Sequence, residues 1–241
     1  GDPLPYLQRG RAFSEEGHAA EALADFEKAA ELGDPVDVAF DLGVLHARMG
    51  RFDAACQDFD RWLARHPDHP PGLVHRARAR RDAGKRAEAL ADYRAYFAVQ
   101  PRPNPGDYVA AADLLVGPDG SGIPEALGLL DDGMQKLGLV PQLQGPAIAL
   151  ERRRDRLDLA LVRLDALEPS LGTSPDWHVD RGELLSLAGR REEAVAELDA
   201  ADARLDALRE TAARRALRER IRALRANISR APAREATRSD R

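Results

Sequence analysis

The feature that most constrains this chain is an internal period close to 34 residues. The dipeptides Ala22-Leu23, Ala55-Cys56, Ala89-Leu90, Ala126-Leu127, Ala160-Leu161 and Ala194-Val195 are each followed, four residues after the Ala, by a large apolar residue. Those six are Phe26, Phe59, Tyr93, Leu130, Leu164 and Leu198, at intervals of 33, 34, 37, 34 and 34. Three positions further on stand Ala29, Trp62, Tyr96, Gly133, Leu167 and Ala201. An i, i+1, i+4, i+7 pattern marks one face of an α-helix, so each unit contributes one helix in a common register. A second helix lies upstream in each unit, marked by a small residue: Gly10, Gly43, Ala77, Ala111 or Ala112, Ala147 or Ile148, and Gly182. Lack of bulk there lets the two helices of a hairpin approach closely. Gly17, Gly50, Gly84 and Gly189 recur seven residues later at the turn, and Pro67 and Pro101 stop their second helices.

These columns resemble the tetratricopeptide repeat, whose period is about 34 residues. The resemblance rests on Tyr6, Gly10, Phe13, Gly17, Ala22, Phe26 and Ala29, then on Gly43, Gly50, Ala55, Phe59 and Pro67. It implies an all-α, right-handed solenoid of six antiparallel helix hairpins. The expected boundaries are 3–35, 36–69, 70–103, a degenerate fourth repeat at 104–139, a degenerate fifth at 140–173, and a sixth at 174–208. Repeat four carries extra residues in the turn 117–124, and repeat five has Asp155 where the others have a turn glycine. Beyond them Ala213, Leu217, Ile221, Leu224 and Ile228 fall on one helical face. Residues 209–228 therefore read as a capping helix over the last apolar surface, and 229–241 as a disordered tail.

Composition narrows the function class. Hydrophobic residues make up 44% of the 241 and aromatics 5%, a mixture dominated by helix formers. No apolar run reaches the roughly 18 residues of a membrane span. The net charge is −5, but Arg209 onward carries +7, leaving −12 on the preceding 208 residues. That Arg-rich end reads first as the exposed face of the cap. It reads second as a dock for an acidic partner or the acidic body of a second copy, and third as a site for nucleic acid or anionic lipid. No aromatics stand there for base stacking, which disfavours nucleic acid. The abundance of Arg and Ala fits a bacterial source. A start at Gly1 fits a removed secretory signal, hence a periplasmic or secreted protein, and equally a trimmed cytoplasmic one. Oligomeric state is not legible.

Sites of chemistry are scarce. Gly117–Gly122 is glycine-rich but lacks the strand before and the Gly-Lys-Ser/Thr after that a phosphate loop needs. His66, Asp68 and His69 are ligand types in one turn without a fourth ligand. Cys56 shares its column with Leu and Val, which marks it as a small buried hydrophobe. No metal or other cofactor, and no catalysis, is expected. The resemblance implies instead that an extended peptide or a partner protein, of acidic character, lies along the concave surface of the first helices. Projection inward selects Leu7 and Arg11; Phe40, Asp41, Val44 and Arg48; and Val74, His75, Arg78 and Arg81. The clamp used by chaperone-tail-binding members is missing, since its positions hold Leu7, Arg11, Asp41, Pro71 and His75. Alternatives are an enzyme or small-ligand carrier with a pocket around repeats three to five, and a structural subunit that assembles through the solenoid edge.

Overall fold

A computed structural model describes residues 1–230, and among these every regular element is an α-helix. They divide into two compact units, Gly1–Leu137 and a second that begins at Gly138. The first holds four hairpins: α1 (Leu4–Glu16) with α2 (Ala19–Leu32), α3 (Pro35–Arg48) with α4 (Phe52–Arg65), α5 (Pro70–Asp82) with α6 (Arg86–Val99), and α7 (Pro105–Leu115) with α8 (Ile123–Leu137). The second pairs α9 (Pro141–Arg153) with α10 (Leu157–Asp165). After a short α11 (Glu168–Leu171) it pairs α12 (Pro175–Leu187) with α13 (Arg191–Asp206), and α14 (Ala212–Arg230) packs on that last pair.

The repeating columns are the core. Phe26, Phe59, Tyr93, Leu130, Leu164 and Leu198 are all buried, and each contributes on the order of 2 kcal/mol of transfer free energy. The small residues opposite them set the closeness of each hairpin. A Cβ placed on Gly10 would meet the Phe26 ring at 2.8 Å, and one on Gly43 the Phe59 ring at 2.7 Å. At the hairpin turns one residue adopts a left-handed conformation, Gly50 with φ of 72° for example. Asp155 fills that seat in α9–α10 with φ of 56°, a conformation that Asp tolerates better than most side chains.

A device that recurs at the helix starts is a cap followed by proline. Asp34 accepts from the backbone N–H of Val36, His69 from Gly72 and Asn104 from Gly106, and Pro35, Pro70 and Pro105 occupy the first helical position. Pro141 and Pro175 also open α9 and α12, without a side-chain cap before them. Proline's missing N–H is free of cost there and its φ is preset for the helix.

The two unusual hairpins have local causes. Residues 116–122 form the long turn of α7–α8, closed on itself by Gly117 N–H to the Ser121 carbonyl at 2.8 Å. α10 ends at Asp165 after 9 residues, where the second helices α2, α4 and α6 run for 14. Pro169 has no N–H to offer the Asp165 carbonyl, so the helix cannot continue. α14 begins at Ala212 and runs through Arg230, so Ser229 and Arg230 are helical; the rest of the expected tail lies outside the described residues.

Candidate functional site

Every candidate residue lies on α1, α3 or α5, the first helices of three successive hairpins in one unit. Two of them belong to the packing: Val74 is buried, and Leu7 is half-buried against the cluster around Phe26 and Val38. Phe40 and Val44 are half-buried against Ala55, Cys56, Phe59 and Ala79.

The arginines divide into committed and available ones. Arg11 reaches across from α1 and binds both carboxylate oxygens of Asp41 on α3, its Nη2 at 2.8 Å from Oδ2. Arg78 does the same from α5 to Asp107 on α7, where the carboxylate is only 5% exposed. These forked ion pairs rivet neighbouring first helices together. Arg48 is exposed and donates to the Ser14 carbonyl at 2.6 Å and its hydroxyl at 3.2 Å. Among the described residues Arg81 pairs with its neighbour Asp82, in a surface pair of the kind that contributes little.

At the centre of this face stands a cluster of rings. The Phe40 ring centroid is 5.9 Å from Phe59, 5.8 Å from Trp62, 5.4 Å from His69 and 5.7 Å from His75. Trp62 donates its indole N–H to His69 Nδ1 at 3.0 Å, and Gly72 donates its backbone N–H to the same atom at 3.1 Å. Two donors on one nitrogen require a lone pair there, so His69 carries its proton on Nε2. Burial pushes the pKa of His69 and of His75 below the usual imidazole value, which favours the neutral form of both. The cluster is thus an uncharged aromatic seat, with Arg78 and Asp107 close to His75.

The other chemical candidates are absorbed by structure. His66 stacks on Trp62 at 3.9 Å and His69 is a helix cap, so the turn's imidazoles are engaged within the protein. Cys56 is buried, and that burial pushes its thiol pKa up. On α14, Arg218 faces Asp206 and Asp202, Arg220 faces Asp180 and Glu183, and Arg225 faces Asp199 and Asp202. Three of the seven arginines of α14 therefore serve to hold it on α12 and α13.

Sequence reasoning missed a column of buried acids. Asp25, Asp58 and Asp92 precede Phe26, Phe59 and Tyr93, and all three are buried. Each meets a basic side chain from the first helix of its own hairpin: Arg9 at 2.7 Å, His46 at 2.7 Å, and Arg76 at 2.6 Å with Arg80 at 2.7 Å. Glu197 repeats the motif with His178 and Arg181. α9–α10 reverses it, with Glu151 on the first helix and Arg163 on the second, 3.5 Å apart. The signal was an acid directly before Phe26, Phe59, Tyr93 and Leu198, four of the six large apolar residues.

Residues 5–32 match the family profile of the tetratricopeptide repeat. No curated protein sequence matches the chain. Among solved structures, a tetratricopeptide repeat protein from Parabacteroides merdae aligns over 93% of this chain and 87% of its own, with 17% identity and a TM-score of 0.61. The MamA protein aligns over 71% of this chain and 92% of its own, with 14% identity and a TM-score of 0.57. YrrB, a repeat protein of the same kind with an unusual peptide-binding site, aligns over 74% and 91%, with 16% identity and a TM-score of 0.54. At these identities the likeness speaks to the fold. With buried columns at the repeat spacing and a matched first repeat, the chain carries a tetratricopeptide repeat at residues 5–32 and shares the fold of tetratricopeptide-repeat proteins.

Proposed function

We propose that this chain is a non-catalytic adaptor, and that the face of α1, α3 and α5 holds an extended peptide of another protein. The observation that carries this reading is the half-buried Phe40, centred among aromatic rings on a face whose ion pairs are otherwise closed. An apolar side chain of the peptide sits against Phe40, Val44 and His75. Its carboxylates meet Arg48 and Arg81, whose side chains are not locked into a neighbouring hairpin's carboxylate. Arg11 and Arg78 support the face without reaching the ligand. Arg and aromatic residues are the groups enriched where proteins meet, and a neutral ring cluster loses little on desolvation. The peptide-binding site of YrrB supports the reading by analogy of fold.

Selection of a random peptide library on the immobilised chain tests it. Enriched peptides should combine an apolar anchor with acidic residues. Phe40→Ala, and separately Arg48→Glu with Arg81→Glu, should weaken a selected peptide at least about tenfold, which is ~1.4 kcal/mol. Unchanged affinity in both variants would refute the assignment of this face.

A further inference from the structure

A second surface of the Gly1–Leu137 unit is shaped to receive a helix. Between α6 and α8, and lined also by Tyr108 and Leu115 of α7, lies an open pocket of about 640 Å³. On its floor Phe97 and Tyr108 stack ring on ring, with centroids 3.9 Å apart and planes within 5°. The α8 wall carries Glu125 and Asp132 and the α6 wall carries Arg94. Among the described residues none of these three has an ion-pair partner. Glu125 and Asp132 are seven residues apart, two helical turns, so their backbone positions are about 10.5 Å apart along one side of α8. Between them Gly128 leaves the wall low, and a Cβ there would meet nothing within 4 Å.

The complementary surface is on α14. Leu217, Ile221 and Ile228 form its buried edge. The opposite edge is centred on Glu219, with Arg215 and Arg222 along one flank and Ala216 and Ala223 along the other. Arg218, Arg220 and Arg225 hold α14 to its own unit, whereas Arg215 and Arg222 have no acidic partner among the described residues. They too are seven residues apart.

We propose that α14 of a second copy of this chain docks in the trough between α6 and α8. One guanidinium of Arg215 and Arg222 then meets each of Glu125 and Asp132, Glu219 turns toward Arg94, and the alanine flank lies over the Phe97–Tyr108 floor. The alanines allow a close approach, and the matched seven-residue spacing sets the register. Each copy offers one trough and one helix, so association runs head to tail. Exposed ion pairs are screened by salt, and the assembly is therefore salt-sensitive. None of this depends on the peptide-binding face.

Light scattering and sedimentation of the full chain test the proposal at low salt, from about 10 µM to about 1 mM. The parent should rise above the mass of one chain with concentration and fall back in about 0.5 M salt. Glu125→Arg with Asp132→Arg, and separately Arg215→Glu with Arg222→Glu, should each stay at single-chain mass with an unchanged helical signal. Mixing the two variants should restore association, because each then offers the charge the other lacks. Gly128→Leu, which fills the trough from an exposed helix position, should also prevent association while folding normally. A parent that stays at single-chain mass throughout overturns the proposal. So does association in either reversed variant alone, in Gly128→Leu, or a mixture that fails to reassociate.

Discussion

Tyr93 shows how closely single side chains are specified. It is fully buried beside Phe97, and among the described residues its hydroxyl has no hydrogen-bond partner. A buried hydroxyl that lacks a partner costs about 1–3 kcal/mol, so its removal should relieve rather than create a defect. Tyr93→Phe should leave the thermal midpoint unchanged or raise it, as read by circular dichroism at 222 nm. A fall comparable to that of a core truncation would show that the hydroxyl is satisfied. Residues of this kind were legible in the sequence, because Phe26, Phe59 and Tyr93 occupy one column and a column of large apolar residues has to be buried. The acids beside them were not legible. Asp25, Asp58 and Asp92 look like members of a solvated face until the partner helix brings Arg9, His46 and Arg76 over them. Which basic side chain reaches which acid depends on helix crossing, and periodicity along one helix does not contain it.

At the scale of the element, helix starts carry much of the specification. His69 caps α5 only while Nδ1 keeps its lone pair. Its pKa is lowered in the folded state by burial and, less, by His66. The unfolded chain therefore binds the proton more readily, and the contribution to stability is present above the unfolded value near 6.5 and lost as the pH falls below it. Nearby are the imidazoles of His66 and His75, with Arg78 and Asp107 beyond. Between pH 7.5 and 5.5 the parent should lose up to about 1 kcal/mol more stability than His69→Asn, in which the cap does not titrate. Parallel pH dependence in the two proteins would remove His69 from the account. Pro35, Pro70, Pro105, Pro141 and Pro175 stand close to repeat spacing in the sequence, and the first three follow a capping side chain. α14 contributes in a different way: Leu217, Ile221 and Ile228 join the cluster of α10, α12 and α13. Ending the chain before Ala212 should lower the midpoint of the second unit or cause aggregation, because that apolar surface would face water. An unchanged melt of the shortened protein would deny α14 a covering role.

For the whole molecule, the all-helical class and the pairing of consecutive helices follow from the period, while the short α11 and the state of the candidate face do not. Ten residues were selected by projecting first helices inward, and the projection treated every Arg as available. Folding commits Arg11 to Asp41 and Arg78 to Asp107, buries Val74, and leaves Phe40 among rings from α4 and α5. Reversing Arg78 would press a carboxylate against buried Asp107, so it reports on stability and not on recognition. The account therefore turns on which helices a bound peptide covers. Amide hydrogen exchange of the full chain, with and without a peptide selected from the library, reads this directly. Slowed exchange should concentrate in α3 and α5, around Phe40, Arg48 and His75, and be absent from the peptide complex of Phe40→Ala at the same concentration. Protection confined to α6 and α8, or to α14, would contradict the assignment of the first-helix face.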